Sequence, residues 1–293
     1  MGNFKRRIVQ FATALVTNIN LKGFTKGTIY RGNSKKICVP GLNCYSCPGA
    51  IGSCPIGSLQ SVLGAARFHI SYYILGFLIF IGVLFGRLVC GWMCPFGLIE
   101  DLLYKIPSPK FKIHKRLRFL KYLKYVILLV FVIIIPMFFT NSFNMGEPAF
   151  CKYICPSGTV LGGIPLTLID KSLRPALGFL FQWKVSVLVF ISVLSIIVYR
   201  PFCRFICPLG AIYSLFNPIS IFSFKVDKNK CTSCRACSNK CKLDIEIYKK
   251  PNSLECIRCG ECIKSCPTKA IKPSFSIKNS SKSSSENLKQ KLM

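Results

Sequence analysis

The chain is 293 residues long, 51% hydrophobic and 13% aromatic, with a mean hydropathy of +0.44, high for a soluble protein and ordinary for a membrane one. Against 10 Asp+Glu stand 40 Lys+Arg, a formal charge of +30. A nucleic-acid binder can be as basic, but these cations sit in loops beside long apolar runs, which fits membrane topology better, so no nucleic-acid partner is expected. The 18 cysteines, with no convincing secretory signal, exclude a disulfide scaffold and indicate metal clusters.

Behind Lys5-Arg6-Arg7, residues 8–21 are uncharged, and no small-residue cleavage site follows. The run is short for a span, so it reads as a short membrane helix or a helix lying at the interface. Residues 22–36 are a basic polar loop. Cys38, Cys44, Cys47 and Cys54 then fall among prolines and glycines that break a helix and expose backbone N–H groups. That is what a cluster-binding loop needs, and also a zinc or structural thiol loop.

Residues 70–86 are charge-free and read as a membrane helix, leading into GRLVCGWMCPFG at 86–97. The loop at 105–121 is strongly basic. A second span covers 122–140, where Pro136 should kink the helix near its end. Cys151 and Cys155 precede Pro-Ser-Gly, and 159–169 is apolar but too short to span. The last span covers 183–199, with Lys184 able to snorkel to one interface, and runs into YRPFCRFICPLG at 199–210. His69 and His114 are too few to build a site.

The two twelve-residue stretches share R-x2-C-x3-C-P-x-G, and Cys54 and Cys155 head matching C-P-x-G elements, so the membrane part reads as duplicated halves. On a helix, C-x3-C places both sulfurs near one face. Cys90, Cys94, Cys203 and Cys207 thus make one four-thiol set. Cys151 and Cys155, with Cys44, Cys47 and Cys54, can make another across the membrane. Structural thiols, reversible disulfides and palmitoylation sites are the alternatives.

The densest signal is CTSCRACSNKCKLDIEIYKKPNSLECIRCGECIKSCP, residues 231–267. It holds two C-x2-C-x2-C-x3-C blocks, in which three cysteines ligate one cluster and the fourth ligates the other. The expected sets are Cys231, Cys234, Cys237 and Cys266 for one [4Fe–4S], and Cys241, Cys256, Cys259 and Cys262 for the second. Zinc sites use paired CxxC units and do not match this spacing. A Ser/Lys tail follows.

The stretch resembles the two-cluster bacterial ferredoxins. With the C-x3-C-P pairs after apolar helices and G-R-x2-C-G-W-x-C-P-x-G, residues 70–270 resemble the NapH/NosR-type membrane polyferredoxins. The resemblance implies electron transfer between a cytoplasmic donor or the quinol pool and a redox partner, with a flavoprotein or a quinone as candidates. No flavin-attachment motif and no C-x-x-C-H haem motif is present.

The expectation is therefore an α-helical membrane protein of about four transmembrane helices in duplicated halves, residues 1–222, with a small α+β ferredoxin-like domain at 223–273 and a disordered tail at 274–293. It carries two [4Fe–4S] clusters, with one or two further iron–sulfur centres at the C-x3-C-P sites. Positive charge at 105–121 places the ferredoxin domain on the cytoplasmic face of a multi-pass protein in the cell membrane. No catalytic residues are assigned, and the chain reads as an electron-transfer subunit more than a stand-alone enzyme. A membrane redox sensor or a cluster-assembly protein is the alternative.

Overall fold

Helices dominate because the apolar runs must satisfy their own backbone hydrogen bonds away from water. The structure is a computed structural model and describes residues 3–65, 72–111, 115–139, 146–170, 172, 175 and 178–275. His69, His114 and the tail from 276 lie outside the described residues. We number the principal helices α1 (Asn3–Thr17), α2 (Pro55–Ala65), α3 (Tyr72–Phe85), α4 (Leu88–Trp92), α5 (Pro95–Leu103), α6 (Phe119–Phe138), α7 (Pro156–Ile169), α8 (Phe179–Ile197), α9 (Pro201–Phe205) and α10 (Pro208–Phe216).

Only α6 and α8, of 20 and 19 residues, are long and apolar enough to cross a membrane among the described residues. Helices α3 and α7 are apolar but shorter. At 15 residues, α1 reaches roughly 22 Å against a hydrocarbon core of about 30 Å. Its amphipathicity is inverted. Arg6 and Gln10 are buried, whereas Phe4, Ile8, Phe11 and Leu15 form one exposed stripe. Exposed Phe179, Val189, Phe190 and Val193 continue this apolar exterior on α8, the surface expected against lipid and not against water.

Pro136 does not end its helix abruptly. Proline lacks an N–H and its ring crowds the carbonyl one turn back. The preceding segment, Leu128–Ile134, widens to a π-helix and relieves that clash. The same device recurs at Pro165, behind the π segment Thr159–Gly163.

The two R-x2-C-x3-C-P-x-G stretches do not extend the membrane helices. Each folds as a hairpin of two short helices, α4–α5 and α9–α10, with Cys94-Pro95 and Cys207-Pro208 at the bends. Proline suits the first helical position, where its missing N–H costs nothing. The start of one hairpin meets the end of the other: Asn217 Oδ1 accepts from Arg87 N at 3.1 Å, and Tyr104 packs edge-on against Tyr199 at 5.1 Å between ring centroids.

The last part pairs β1 (Phe222–Val226) with β2 (Ile271–Phe275) antiparallel, Phe222 opposite Phe275 and Val226 opposite Ile271. Two short helices, α11 (Ala236–Lys240) and α12 (Glu261–Lys264), lie between. The halves of this module repeat their backbone: φ is positive at Ser233 and Arg258, at Arg235 and Gly260, and at Asp244 and Lys269. A left-handed non-glycine residue costs about 1–2 kcal/mol, and five of these six are not glycine. The matched positions flank equivalent cysteines.

Candidate iron–sulfur centres

In the β1–β2 module the cysteines group across the two blocks. Cys231, Cys234, Cys237 and Cys266 line one small cavity, and Cys241, Cys256, Cys259 and Cys262 line another. The first lies at the surface, with Cys234 exposed; the second is deeper, with Cys256 and Cys262 buried. Burial, which disfavours a free thiolate, pushes Cys256 up to about 12. Such thiols become ligands only when a metal takes the proton's place.

The module is locked onto the hairpins. Ile257 O would lie 2.4 Å from a Cβ at Gly91, so only glycine fits there. Beside it, Trp92 Nε1 donates to Arg258 O at 3.1 Å. Arg258 donates to Phe85 O at 2.8 Å and to Asn217 O at 2.7 Å. Glu255 receives Arg87 at 2.6 Å and Lys124 at 2.5 Å.

The hairpin cysteines form the third set. Cys90, Cys94, Cys203 and Cys207 are all buried and within electrostatic reach of one another: Cys94 feels Cys90, Cys203 feels Cys94 and Cys207, and Cys207 feels Cys90 and Cys94. Burial raises all four thiols. Gly210 N donates to Cys207 Sγ at 3.4 Å, as a helix N-terminus does to an anion. The arginines three residues before each pair cross between repeats. Arg87 Nη2 donates to Cys203 O at 2.9 Å, and Arg200 Nη1 to Cys90 O at 2.7 Å. The motif glycines make room: a Cβ at Gly97 would stand 3.1 Å from Cys90 O and 3.4 Å from the Arg200 guanidinium, and one at Gly210 3.1 Å from Cys203 O. Every fixed letter of R-x2-C-x3-C-P-x-G thus has a physical reason.

Three acidic residues that the motifs do not mark complete this centre. Asp101 binds Arg200 at 2.6 Å and Arg6 at 3.0 Å; burial pushes its carboxyl up, but the two guanidinium groups pull it below its usual value. Glu100 accepts from Phe202 N at 2.9 Å, one residue before Cys203, and burial raises it to about 7. Glu255 is held down to about 2, burial being outweighed by Arg87 and Lys124. A signal existed in the sequence: of only 10 acidic residues, two stand side by side at 100–101 within an apolar stretch.

Cys44, Cys54, Cys151 and Cys155 line a cavity of about 730 Å³ together with Lys35 and Lys184. Burial pushes Cys54 up to about 11 and Cys155 up to about 12. Cys47 is not brought to this cavity. Its sulfur sits 3.4 Å from Asn18 Oδ1, because the turn closed by Cys47 N to Cys44 O carries it toward α1. Cys38 likewise stays aside, 3.6 Å from Ser53 Oγ. Lys184 Nζ lies over Gly158, at 3.8 Å from a Cβ there, on the cavity wall.

The sequence reading put the hairpin cysteines and the 44–54 cysteines on opposite membrane faces. In the structure they are neighbours, because the bend at Cys94-Pro95 packs against the loop at Gly41. A Cβ at Gly41 would stand 3.1 Å from Cys94 Cα, and the next residues, Leu42 and Asn43, line the cavity beside Cys54. Tyr213 is fully buried between the two sets, within reach of Cys90, Cys94 and Cys54, and donates to Pro40 O at 3.0 Å.

Comparison with known proteins points the same way. A family model described as a 4Fe-4S binding domain matches residues 68–114, 124–165 and 180–229, and a second 4Fe-4S binding domain model matches 250–272. The chain is 34% identical over 207 residues to the uncharacterized protein MJ0749 of Methanocaldococcus jannaschii, covering 67% of this chain and 68% of that one. It is 31% identical to the regulatory protein NosR of Stutzerimonas stutzeri over 61% of this chain and 23% of NosR. It is 25% identical to the ferredoxin-type protein NapH of Haemophilus influenzae over 72% of this chain and 67% of NapH. No solved structure matches. The cysteine blocks, the paired C-x3-C-P hairpins and these matches together show that the chain belongs to the NapH/NosR-type polyferredoxins, iron–sulfur proteins of electron transfer.

Proposed function

We propose that the chain is a multi-pass membrane electron conduit whose four cysteine sets each hold a [4Fe–4S] cluster. Residues 1–222 form the membrane domain and 223–273 the ferredoxin domain. The donor sets suit this group: four soft thiols each, with backbone N–H groups turned toward sulfur. Bound clusters supply one-electron transfer. The protein fixes their order: the exposed set of Cys231, then Cys241 and its partners, then the hairpin cysteines, then the set of Cys44.

The observation that carries this reading is the short loop at 41–43: a Cβ at Gly41 would stand 3.1 Å from Cys94 Cα, and the next two residues, Leu42 and Asn43, line the cavity of Cys44 and Cys54, so one loop touches the last two sets. The exposed Cys234 edge is where a soluble redox partner, a flavoprotein among the candidates, would dock. The cavity beside Cys44 is where a quinone or a membrane partner would exchange with the other end. The start of α6 and the end of α8 both lie at the ferredoxin module, through Lys124–Glu255 and through Tyr199 beside Cys259. Lys110 of the basic 105–121 loop donates to Ile196 O at the end of α8, on that same side, and on the positive-inside rule that side is the cytoplasm.

Iron and acid-labile sulfide per chain, measured on anaerobically purified protein, test the reading. Four clusters require about 16 iron atoms and two require about 8. A value near 8, with EPR of the ferredoxin pair alone, removes the hairpin and cavity clusters from the conduit.

A further inference from the structure

At the ferredoxin end of α8 lies a cavity of about 130 Å³ that is separate from the four cysteine sets, with Cys241 alone of their residues on its wall. Four cations line it, Lys110, Lys240, Lys242 and Arg204, against one carboxylate, Asp244. Arg204 is 2% exposed, and its Nε finds no partner among the described residues. Its Nη2 donates to Leu243 O at 3.2 Å, while Nη1 stands 3.6 Å from Asp244 Oδ2, too far for a hydrogen bond. A buried guanidinium with an unmet donor is costly, and an anion in the cavity would supply the missing acceptor.

The surroundings narrow the anion. Lys242 is held over the Tyr104 and Tyr199 rings at 5.8 and 5.3 Å and pairs with Glu261 at 3.3 Å. Lys110 caps the last turn of α8 by donating to Ile196 O at 2.7 Å. The cavity therefore sits where α8 leaves its apolar stretch, with Phe111 and Val198 on the apolar side. Guanidinium plus ammonium groups in a small volume match the several acceptor oxygens of a phosphate. Basic pockets at the end of membrane helices suit a lipid headgroup.

We propose that this cavity is a phosphate-binding site, filled by an anionic lipid headgroup or by free phosphate, directly behind the ferredoxin ligand Cys241. The lipid source rests on the membrane reading above, whereas the free-phosphate source does not. Occupancy places negative charge beside the Cys241 set and makes its reduction less favourable.

The test uses full-length protein with its clusters in an uncharged detergent. Binding of labelled inorganic phosphate and of dioctanoyl phosphatidic acid is measured for wild type, for K240Q/K242Q and for Arg204→Gln. The two lysines are surface residues, so their double variant keeps the fold even if the buried arginine change does not. We expect one saturable site per chain, weakened at least tenfold in K240Q/K242Q, with the ferredoxin absorbance intact. Tighter binding of phosphatidic acid than of phosphate identifies the headgroup as ligand; equal affinities identify free phosphate. No saturable binding of either probe, or unchanged affinity in K240Q/K242Q, overturns the site.

Discussion

Arg87 and Arg200 hold each other's repeat: each donates to the carbonyl of the other pair's leading cysteine, at 2.9 and 2.7 Å. Neither hairpin can therefore build its half of the centre alone. Each arginine is also anchored by a carboxylate, Glu255 for Arg87 and Asp101 for Arg200. The two repeats have diverged in what anchors them, and the first is tied directly to the ferredoxin module.

Asp101→Asn should be among the most damaging conservative changes. It leaves Arg6 and Arg200 buried without their countercharge, a loss of roughly 3–5 kcal/mol. Because the folded-state value of Asp101 lies below its unfolded one of about 3.9, its contribution is present above about pH 4 and lost as pH falls through the folded value. Thermal unfolding in detergent should show a gap between wild type and variant at pH 7 that narrows below pH 4. A gap independent of pH would place the effect elsewhere.

Cys241→Ser should abolish the EPR signal of the Cys256, Cys259 and Cys262 set and spare that of Cys231, Cys234 and Cys237. Loss of the Cys231 signal with the other retained would reverse the ligand assignment.

Cys94→Ser and Cys207→Ser should each remove about four irons per chain, the content of one cube, and the double variant should lose no more. Separate losses that add would show two independent sites; unchanged iron would leave these thiols structural.

Gly91→Ala forces a Cβ to 2.4 Å from Ile257 O and should cost about 1–3 kcal/mol. Trypsin should release the 223–273 module faster from this variant. Gly76→Ala, where nothing lies within 4 Å, is the control and should match wild type.

A reporter fused after residue 293 should be active only in the cytoplasm. Activity of an export-dependent reporter there would invert the conduit.

What could be read from the sequence was what depends on local spacing. Cluster ligands lie within a few residues of one another, so both C-x2-C-x2-C-x3-C blocks and the R-x2-C-x3-C-P-x-G repeat were visible as patterns. The long-range partners were not. Arg87 reaches Cys203 across 116 positions, and no periodicity marks that contact. Residues 86–103 and 199–216 gave no sign either that each breaks into two short helices, because a short apolar helix looks the same whether it crosses, turns back or packs in a core. The sorting of Cys44 and Cys54 toward the cavity, with Cys47 turned to Asn18, rests on a single turn.

The glycine at position 91 has a kinetic consequence. With Ile257 O seated where a side chain would be, and with Trp92 and Arg87 bonded to the same loop, the ferredoxin module cannot work as a swinging arm that shuttles between docking points. On the proposed conduit, throughput would be set by the fixed gaps between neighbouring thiol sets and by collision with the outside partner. Added viscogen should slow only the collision.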